Sequence, residues 1–257
     1  MMSGPIKKHA LDLISKEQRL DGRDLLEFRD IEVVYDFSKN AEGSAKVRIG
    51  ETEIIAGVKM SVDKPFPDTP NKGSLMVSAE FSQIANPKFE SGPPSGEAIE
   101  LARVVDRGIR ESKAVPPTKL CISEGEKVWS ISIDLIPLNV AGNYLDAAGL
   151  ASIAALKVAK FPKYDGTNVD YKELTDDSVP LEKLPIPITV HKIVGKYLVD
   201  LTDSEEETSD CKLTVTTLED GKICSVQKGG SQPLTSEDIA HMIDISVKKG
   251  KELRSKL

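Results

Sequence analysis

The sequence contains few of the residues from which metal sites and disulfide frameworks are built. Among 257 residues there are three cysteines and three histidines, and aromatic residues make up 5%. The cysteines are far apart and form no CxxC pair, so their spacing indicates neither a disulfide framework nor a zinc knuckle. The histidines are equally scattered, which argues against a histidine-based metal site or catalytic triad.

Long hydrophobic runs are absent too. No segment approaches the roughly 18 apolar residues that a membrane-spanning helix needs, and charged residues interrupt the opening segment throughout, unlike a secretion signal. The chain is 39% hydrophobic and 29% charged, with a formal net charge of −7. These features predict a folded, cytoplasmic protein in a reducing environment that contacts no membrane.

Strand-like and helix-like patterns follow each other in the same order twice along the chain. A helical segment comes first, then short β-type runs, a helix after Ser95 and a small, apolar helix that suits a central layer. Further strands and a C-terminal helix follow, and Asp220–Gly221 is a hairpin signal. The fold class is therefore α+β, with two similar β-rich/helix halves packed around central helices. The predicted segments are an N-terminal helical segment (1–18), a first half (19–161), a connecting loop (162–187) and a second half (188–257).

One predicted helix carries three arginines on a single face. Arg103, Arg107 and Arg110 lie at i, i+4 and i+7, so their side chains project within about 60° of each other. Guanidinium groups in this arrangement suit successive phosphates of a nucleic-acid strand. Ion pairs offer a plainer interpretation, since Asp106 precedes Arg110 by four residues and Glu111 follows Arg107 by four. Spacing alone slightly favours the ion pairs.

An acidic cluster lies between two predicted strands. Such a density of carboxylates could bind Mg²⁺ or act in acid–base catalysis. The cluster has no EF-hand spacing, so the pattern favours a solvated loop. Its members are Asp200, Asp203, Glu205, Glu206, Glu207 and Asp210.

Four segments together resemble RNase PH-type proteins in order and spacing. They are RLDGRDLLEFRDIEV, IELARVVDRGIRES, SIDLIPLNVAGNYLDAAGLASIAAL and DLTDSEEETSDCKLTVTTLEDGKICSVQKGG. The resemblance runs from Arg19 to the C-terminus. It is strongest to the larger ring subunits of archaeal exosomes, which are catalytically silent. It implies an RNase PH-type fold with two similar halves.

The resemblance also implies that the catalytic positions of active members are altered here. Active members bind phosphate through threonine or serine followed by arginine just before the central helix, and that pair falls on Asn143 and Tyr144. A tyrosine offers no bidentate cationic fork to phosphate. The two aspartates that serve metal binding and acid catalysis, counted from Asp200, fall on Glu206 and Lys212. A lysine repels a divalent cation, so the chain alone is expected not to catalyse phosphorolysis.

For the arginine helix the resemblance reverses the preference that spacing gave. It implies that Arg103 and Arg107 reach across a subunit boundary to hold RNA. Arg110 is a third RNA-binding candidate for which ion pairing is the stronger interpretation. The acidic net charge is compatible with this, because phosphate contacts depend on local potential.

The implied partners are those of a ring. Three copies are expected to alternate with three copies of a catalytic RNase PH-type subunit, with RNA-binding cap proteins and single-stranded RNA as further partners and no DNA. The chain is expected to need no cofactor, with phosphate and any divalent metal on the partner subunit. Three alternatives stay open: phosphorolysis by this chain through Asp203, Glu206 or Asp210, a pure scaffold without RNA contact, and a small-molecule enzyme.

Overall fold

A computed structural model of the chain describes residues 4–90 and 92–257. Residues 1–3, which begin the predicted segment 1–18, and residue 91 lie outside the described residues. Within them the helices are α1 Gly4–Ser15, α2 Gly96–Ser112, α3 Tyr144–Val158, α4 Asp203–Glu206 and α5 Ser236–Arg254, with a 3₁₀ turn at Pro117–Leu120. The strands are β1 Ile31–Tyr35, β2 Gly43–Ile49, β3 Thr52–Asp63, β4 Ser74–Ala79, β5 Cys121–Ser123, β6 Lys127–Asn139, β7 Lys160–Tyr164, β8 Val169–Ser178, β9 Ile186–Ile193, β10 Lys196–Val199, β11 Cys211–Thr217 and β12 Ile223–Gly230. No helix in the described ranges is long and apolar enough to cross a bilayer.

Two main sheets carry the two halves, and the predicted α+β fold is confirmed. The first has the order β1-β2-β3-β6-β4, with β5 added to β6, and only β4 and β6 pair in parallel. The second is antiparallel in the order β10-β9-β11-β12. The hairpin predicted at Asp220–Gly221 joins β11 to β12, and Gly221 adopts the positive φ of 83° that such a turn favours.

Helix α3 is the central layer between the two sheets. It packs against β2 and β3 on one side and β9 on the other. The helix is apolar almost all round, and its residues from Tyr144 to Leu156 are buried. Gly149 lies directly against the ring of Pro187, so closely that no Cβ could be accommodated. The small residues of α3 therefore allow both sheets to approach it.

The stretch between α1 and β1 is joined to the second half by a buried ion pair. Arg19 and Glu205 have fully buried side chains and form two charge-assisted hydrogen bonds, with Nε–Oε1 at 2.9 Å and Nη2–Oε2 at 2.5 Å. Glu205 also completes a capping box with Thr202 at the start of α4. The acidic cluster is therefore not simply the solvated loop that its composition predicts, because one of its carboxylates is needed to neutralise a buried guanidinium.

The prediction of a connecting loop over 162–187 is wrong for much of its length. Strands β7 and β8 pair there as a separate antiparallel hairpin. Its turn is formed by Asp165, whose Oδ1 accepts the backbone N–H groups of Thr167 and Asn168 at 2.7 Å each. Most of β8 is exposed. The strand therefore lacks the alternation of apolar and polar residues by which a half-buried strand is recognised.

Candidate functional site

Helix α2 presents the predicted arginines on its exposed face. The Oγ of Ser95 caps its first turn by accepting the N–H of Ala98 at 3.2 Å, and Lys113 ends it in a left-handed conformation with φ 54°. On the opposite face, a Cβ added at Gly108 would lie 3.1 Å from the Cγ2 atom of Thr216, so a glycine brings α2 close to β11. Helix α2 therefore packs closely on the second sheet, with its arginines on the face away from β11.

The three arginines differ in their contacts. Arg110 forms an ion pair with Asp106 at 2.6 Å, and its Nη2 atom also donates to the backbone oxygen of Leu75 at 3.1 Å. Arg103 and Arg107 are exposed and form no hydrogen bond or ion pair with the described residues. Two unpaired guanidinium groups one turn apart remain available for an external anion.

Asn143 and Tyr144, on which the resemblance places the phosphate-binding pair of active RNase PH-type proteins, lie at the tight turn before α3. Gly142 and Asn143 both have positive φ, 89° and 54°. A Cβ at Gly142 would collide with the backbone oxygen of Leu201, so the turn requires glycine. The backbone N–H of Asn143 donates to Oε1 of Glu206 at 2.8 Å, and burial raises the pKa of that glutamate. A carboxylate of this chain therefore occupies the start of α3.

Tyr144 is the position at which the resemblance implies an arginine in active members. It is buried, and its ring packs edge-on against Phe81 with centroids 5.5 Å apart. Burial, reinforced by the carboxylates of Glu206, Glu100 and Glu97, raises the pKa of Tyr144. The phenol therefore stays neutral and supplies no positive charge for phosphate.

Asp200 is fully engaged in internal contacts. Its carboxylate accepts from Nη2 of Arg29 at 2.7 Å, Nη1 of Arg23 at 2.9 Å and Nδ2 of Asn143 at 2.9 Å. Although burial opposes ionisation, the contacts with Arg29 dominate and the pKa of Asp200 is lowered. This carboxylate joins the stretch between α1 and β1 to the turn before α3.

Lys212 lies across the same turn. It faces His191 and Gly229 in the neighbouring strands, and its Nζ atom lies 5.9 Å from the centroid of the Tyr144 ring. Burial lowers the pKa of His191 to about 3, and its Nδ1 atom is 2.9 Å from the Oγ of Ser209. His191 is therefore neutral and serves the packing of β9.

These residues do not fit a divalent metal ion. Asp200 is already neutralised by arginines, and the ammonium of Lys212, at the position where the resemblance implies a second carboxylate in active members, would repel a divalent cation. No group of three or more histidine, cysteine, aspartate or glutamate side chains is arranged to hold a metal ion in the ranges 4–90 and 92–257. A cavity of about 10 Å³ remains at the turn, roughly the space of one water molecule. Its lining is Asn143, Tyr144, Leu145, Thr189, His191, Glu206 and Lys212.

Sequence reasoning missed Asp146, which lies in the first turn of α3. Its side chain is fully buried, and neither carboxyl oxygen makes a well-formed hydrogen bond with the described residues, although Thr189 and Asn143 lie near enough to favour its charged form. Burial raises the pKa of Asp146 to about 7. An aspartate in an otherwise apolar helical segment could have been recognised in the sequence. Its burial could not, because it depends on the two sheets that enclose α3.

Comparisons with known proteins match nearly the whole chain. The model of the 3′ exoribonuclease family, domain 1, matches residues 27–162, and that of domain 2 matches residues 183–249. The exosome complex component Rrp42 of Thermococcus onnurineus is 42% identical over 260 residues, covering 100% of this chain and 96% of the relative. The Rrp42 component of Methanocella arvoryzae is 43% identical and covers 98% and 95%, respectively.

A solved structure is similar over the same extent. A chain of the Archaeoglobus fulgidus exosome with RNA bound to the active site superposes with a TM-score of 0.91 at 41% identity. The match covers 97% of this chain and 96% of that chain.

Proposed function

The chain belongs to the RNase PH family of 3′ exoribonucleases, and we propose that it is a non-catalytic ring subunit of an exosome that positions RNA for a catalytic partner. The observation that carries the proposal is the contrast between two surfaces. The exposed face of α2 offers two unpaired arginines, whereas the turn before α3 is filled by side chains of the chain itself.

The absence of catalysis by this chain is supported by the chemistry of the filled turn. Phosphorolysis needs a cationic group for phosphate and an acid near the scissile bond. Tyr144 is neutral, Asp200 is neutralised by Arg23 and Arg29, and Lys212 replaces a carboxylate. Phosphate, and any divalent metal ion, would bind to the partner subunit.

RNA contact is supported by the geometry of Arg103 and Arg107. Residues four apart on a helix are neighbours on one face, so their guanidinium groups can hold adjacent phosphates of a single strand. Arg110 is better explained as a positioning residue. Its contacts with Asp106 and with the backbone of Leu75 tie α2 to β4 and leave less of its guanidinium free for RNA.

In the assembled ring, three copies would alternate with three copies of a catalytic RNase PH-type subunit in the cytoplasm, under cap proteins that bind RNA. The partner would supply phosphate binding and acid catalysis, and Arg103 and Arg107 would fix the 3′ end of single-stranded RNA in line for attack. Catalysis would benefit because the arginines hold the reacting bond in place before the chemical step.

The experiment that tests RNA contact compares the Arg103→Ala/Arg107→Ala ring with the wild-type ring. Binding of a single-stranded RNA is measured at several salt concentrations. Each lost phosphate contact reduces the magnitude of the slope of log K against log salt by about 0.7. The slope of the double variant is therefore expected to be smaller in magnitude by about 1.4. Arg48→Ala, which removes a partly exposed arginine of β2 that pairs with Glu32, is the control outside α2 and should leave the slope unchanged.

Two outcomes would contradict the proposal. An unchanged affinity and slope in an assembled double-variant ring would mean that α2 acts only as scaffold. Phosphate-dependent release of nucleoside diphosphates by the chain alone would mean that it is an enzyme in its own right.

A further inference from the structure

The carboxylate of Glu206 occupies the position in which an external anion would meet the start of α3. The start of a 15-residue helix carries unpaired backbone N–H groups and a partial positive charge. The side chain of Asn143 makes no capping hydrogen bond to α3, and its backbone N–H donates to Glu206 instead. The positive end of the central helix is therefore neutralised from within the chain.

Lys212 lines the same small cavity as Glu206. Burial raises the pKa of Glu206, while the hydrogen bond from Asn143 and the charge of Lys212 oppose that shift. The stem of Lys212 passes over Gly229, where an added Cβ would lie 2.6 Å from the lysine Cε atom. A glycine in the neighbouring strand thus gives Lys212 room to lie across the turn.

The remaining space is too small for a phosphate ion. The cavity of about 10 Å³ has room for roughly one water molecule, and a phosphate has five non-hydrogen atoms. The surroundings are unfavourable as well, because the unpartnered Oδ1 of Asn143 is buried at the same helix end, and an amide oxygen has no hydrogen to donate to an anion.

We propose that the side chain of Glu206, by accepting the Asn143 N–H itself, closes the start of α3 to inorganic phosphate, together with Lys212 and Tyr144. In a ring, this closure leaves phosphate only the partner's site to occupy, and that consequence rests on the function proposed above. The closure itself is a property of the isolated chain. The closure can therefore be tested separately from RNA positioning, and either one can be wrong without the other.

The test uses the full chain without RNA or partner and inorganic phosphate as the probe. In the wild-type protein, the NMR resonance of the Asn143 amide should follow the titration of Glu206 but should not move with phosphate beyond a chloride control of equal ionic strength. Glu206→Ser vacates the position. In this variant the resonance of the Asn143 amide should shift with added phosphate until it saturates. At a phosphate concentration of ten times Kd, the equilibrium constant for unfolding of the variant should fall about tenfold.

Two further variants distinguish the effect of filling the start of α3 from the effect of a negative charge near it. Asp203→Ser removes a neighbouring carboxylate that does not line the cavity, and it should stay insensitive to phosphate. Glu206→Gln keeps an oxygen for the Asn143 N–H and the same volume, so it should also stay insensitive.

Three results would overturn the proposal: a phosphate-dependent shift of the Asn143 amide in the wild-type chain, a folded Glu206→Ser protein that ignores phosphate, or a Glu206→Gln protein that binds phosphate as well as Glu206→Ser. The wild-type titration decides the question even if Glu206→Ser fails to fold.

Discussion

Replacing Asp146 by asparagine is expected to change how the stability of the protein depends on pH. Asp146 is enclosed in the central helix without a well-formed hydrogen bond to the described residues, and burial raises its pKa to about 7 from the ordinary 3.8. At a pH below 3.8 the carboxyl is protonated in both the folded and the unfolded chain. At a pH between 3.8 and about 7, the folded chain holds a proton that the unfolded chain releases.

The sign and size of the effect follow from this difference in bound protons. The contribution of Asp146 to the free energy of unfolding has its full value at acid pH and decreases as the pH rises from about 4 to about 7. At 1.36 kcal/mol per pKa unit, the loss between pH 5 and pH 8 is roughly 2–3 kcal/mol. The amide side chain of the Asp146→Asn variant cannot ionise, so the variant should escape this loss.

The assay is urea unfolding at several pH values, followed by the fluorescence of Trp129, the single tryptophan, which packs on Phe161 with ring centroids 5.2 Å apart. Other groups titrate in both proteins, so the difference between the wild-type and Asp146→Asn curves isolates this carboxyl. Asp176→Asn removes an exposed aspartate of β8 and serves as the control. Wild-type and Asp146→Asn curves that run parallel from pH 5 to pH 8 would mean that burial does not raise the pKa of Asp146 in the folded chain.

Two further substitutions test the packing that holds the site. Arg19→Ala should destabilise the chain by about 3–5 kcal/mol in urea unfolding, because it leaves the carboxylate of Glu205 buried and unpaired. Gly149→Ala should cost about 1–3 kcal/mol or more in the same measurement, because its new methyl group meets the ring of Pro187 and forces α3 away from β9.

Each of these substitutions has a matched control. Lys16→Ala removes a cation from the exposed pair with Asp12 and should change stability by less than about 1 kcal/mol. Gly96→Ala adds a methyl group in the first turn of α2 with no atom within 4 Å and should be tolerated. Equal effects in test and control variants would show that burial and contact do not determine these stabilities.

Local sequence patterns predict most of the fold. Strand β6 is a clear case, since Ile131, Ile133 and Leu135 alternate with polar residues and are all fully buried. The boundaries of α2 follow from Ser95 and from the prolines after Val115. The β7–β8 hairpin could not be found in this way. It is held by backbone pairing and by aromatic contacts to Trp129, and most of β8 has no buried face to mark it.

The site was predictable only as far as local spacing determines it. The helical period places Arg103 and Arg107 on one face, and the i, i+4 rule identifies the pair of Asp106 with Arg110. The closure of the turn before α3 depends on residues far apart in the chain. Glu206 lies 63 positions from the Asn143 N–H that it accepts, and such contacts leave no periodic signal in the sequence.

The most direct test of the proposed function is phosphate-dependent degradation of a 5′-labelled single-stranded RNA by this protein, by a catalytic RNase PH-type partner and by the two assembled together. The chain alone should be inactive, the assembly should be strongly active, and an assembly carrying Arg103→Ala/Arg107→Ala should degrade RNA much more slowly. Clear degradation by the chain alone, or full activity of the double-variant assembly, would contradict the account.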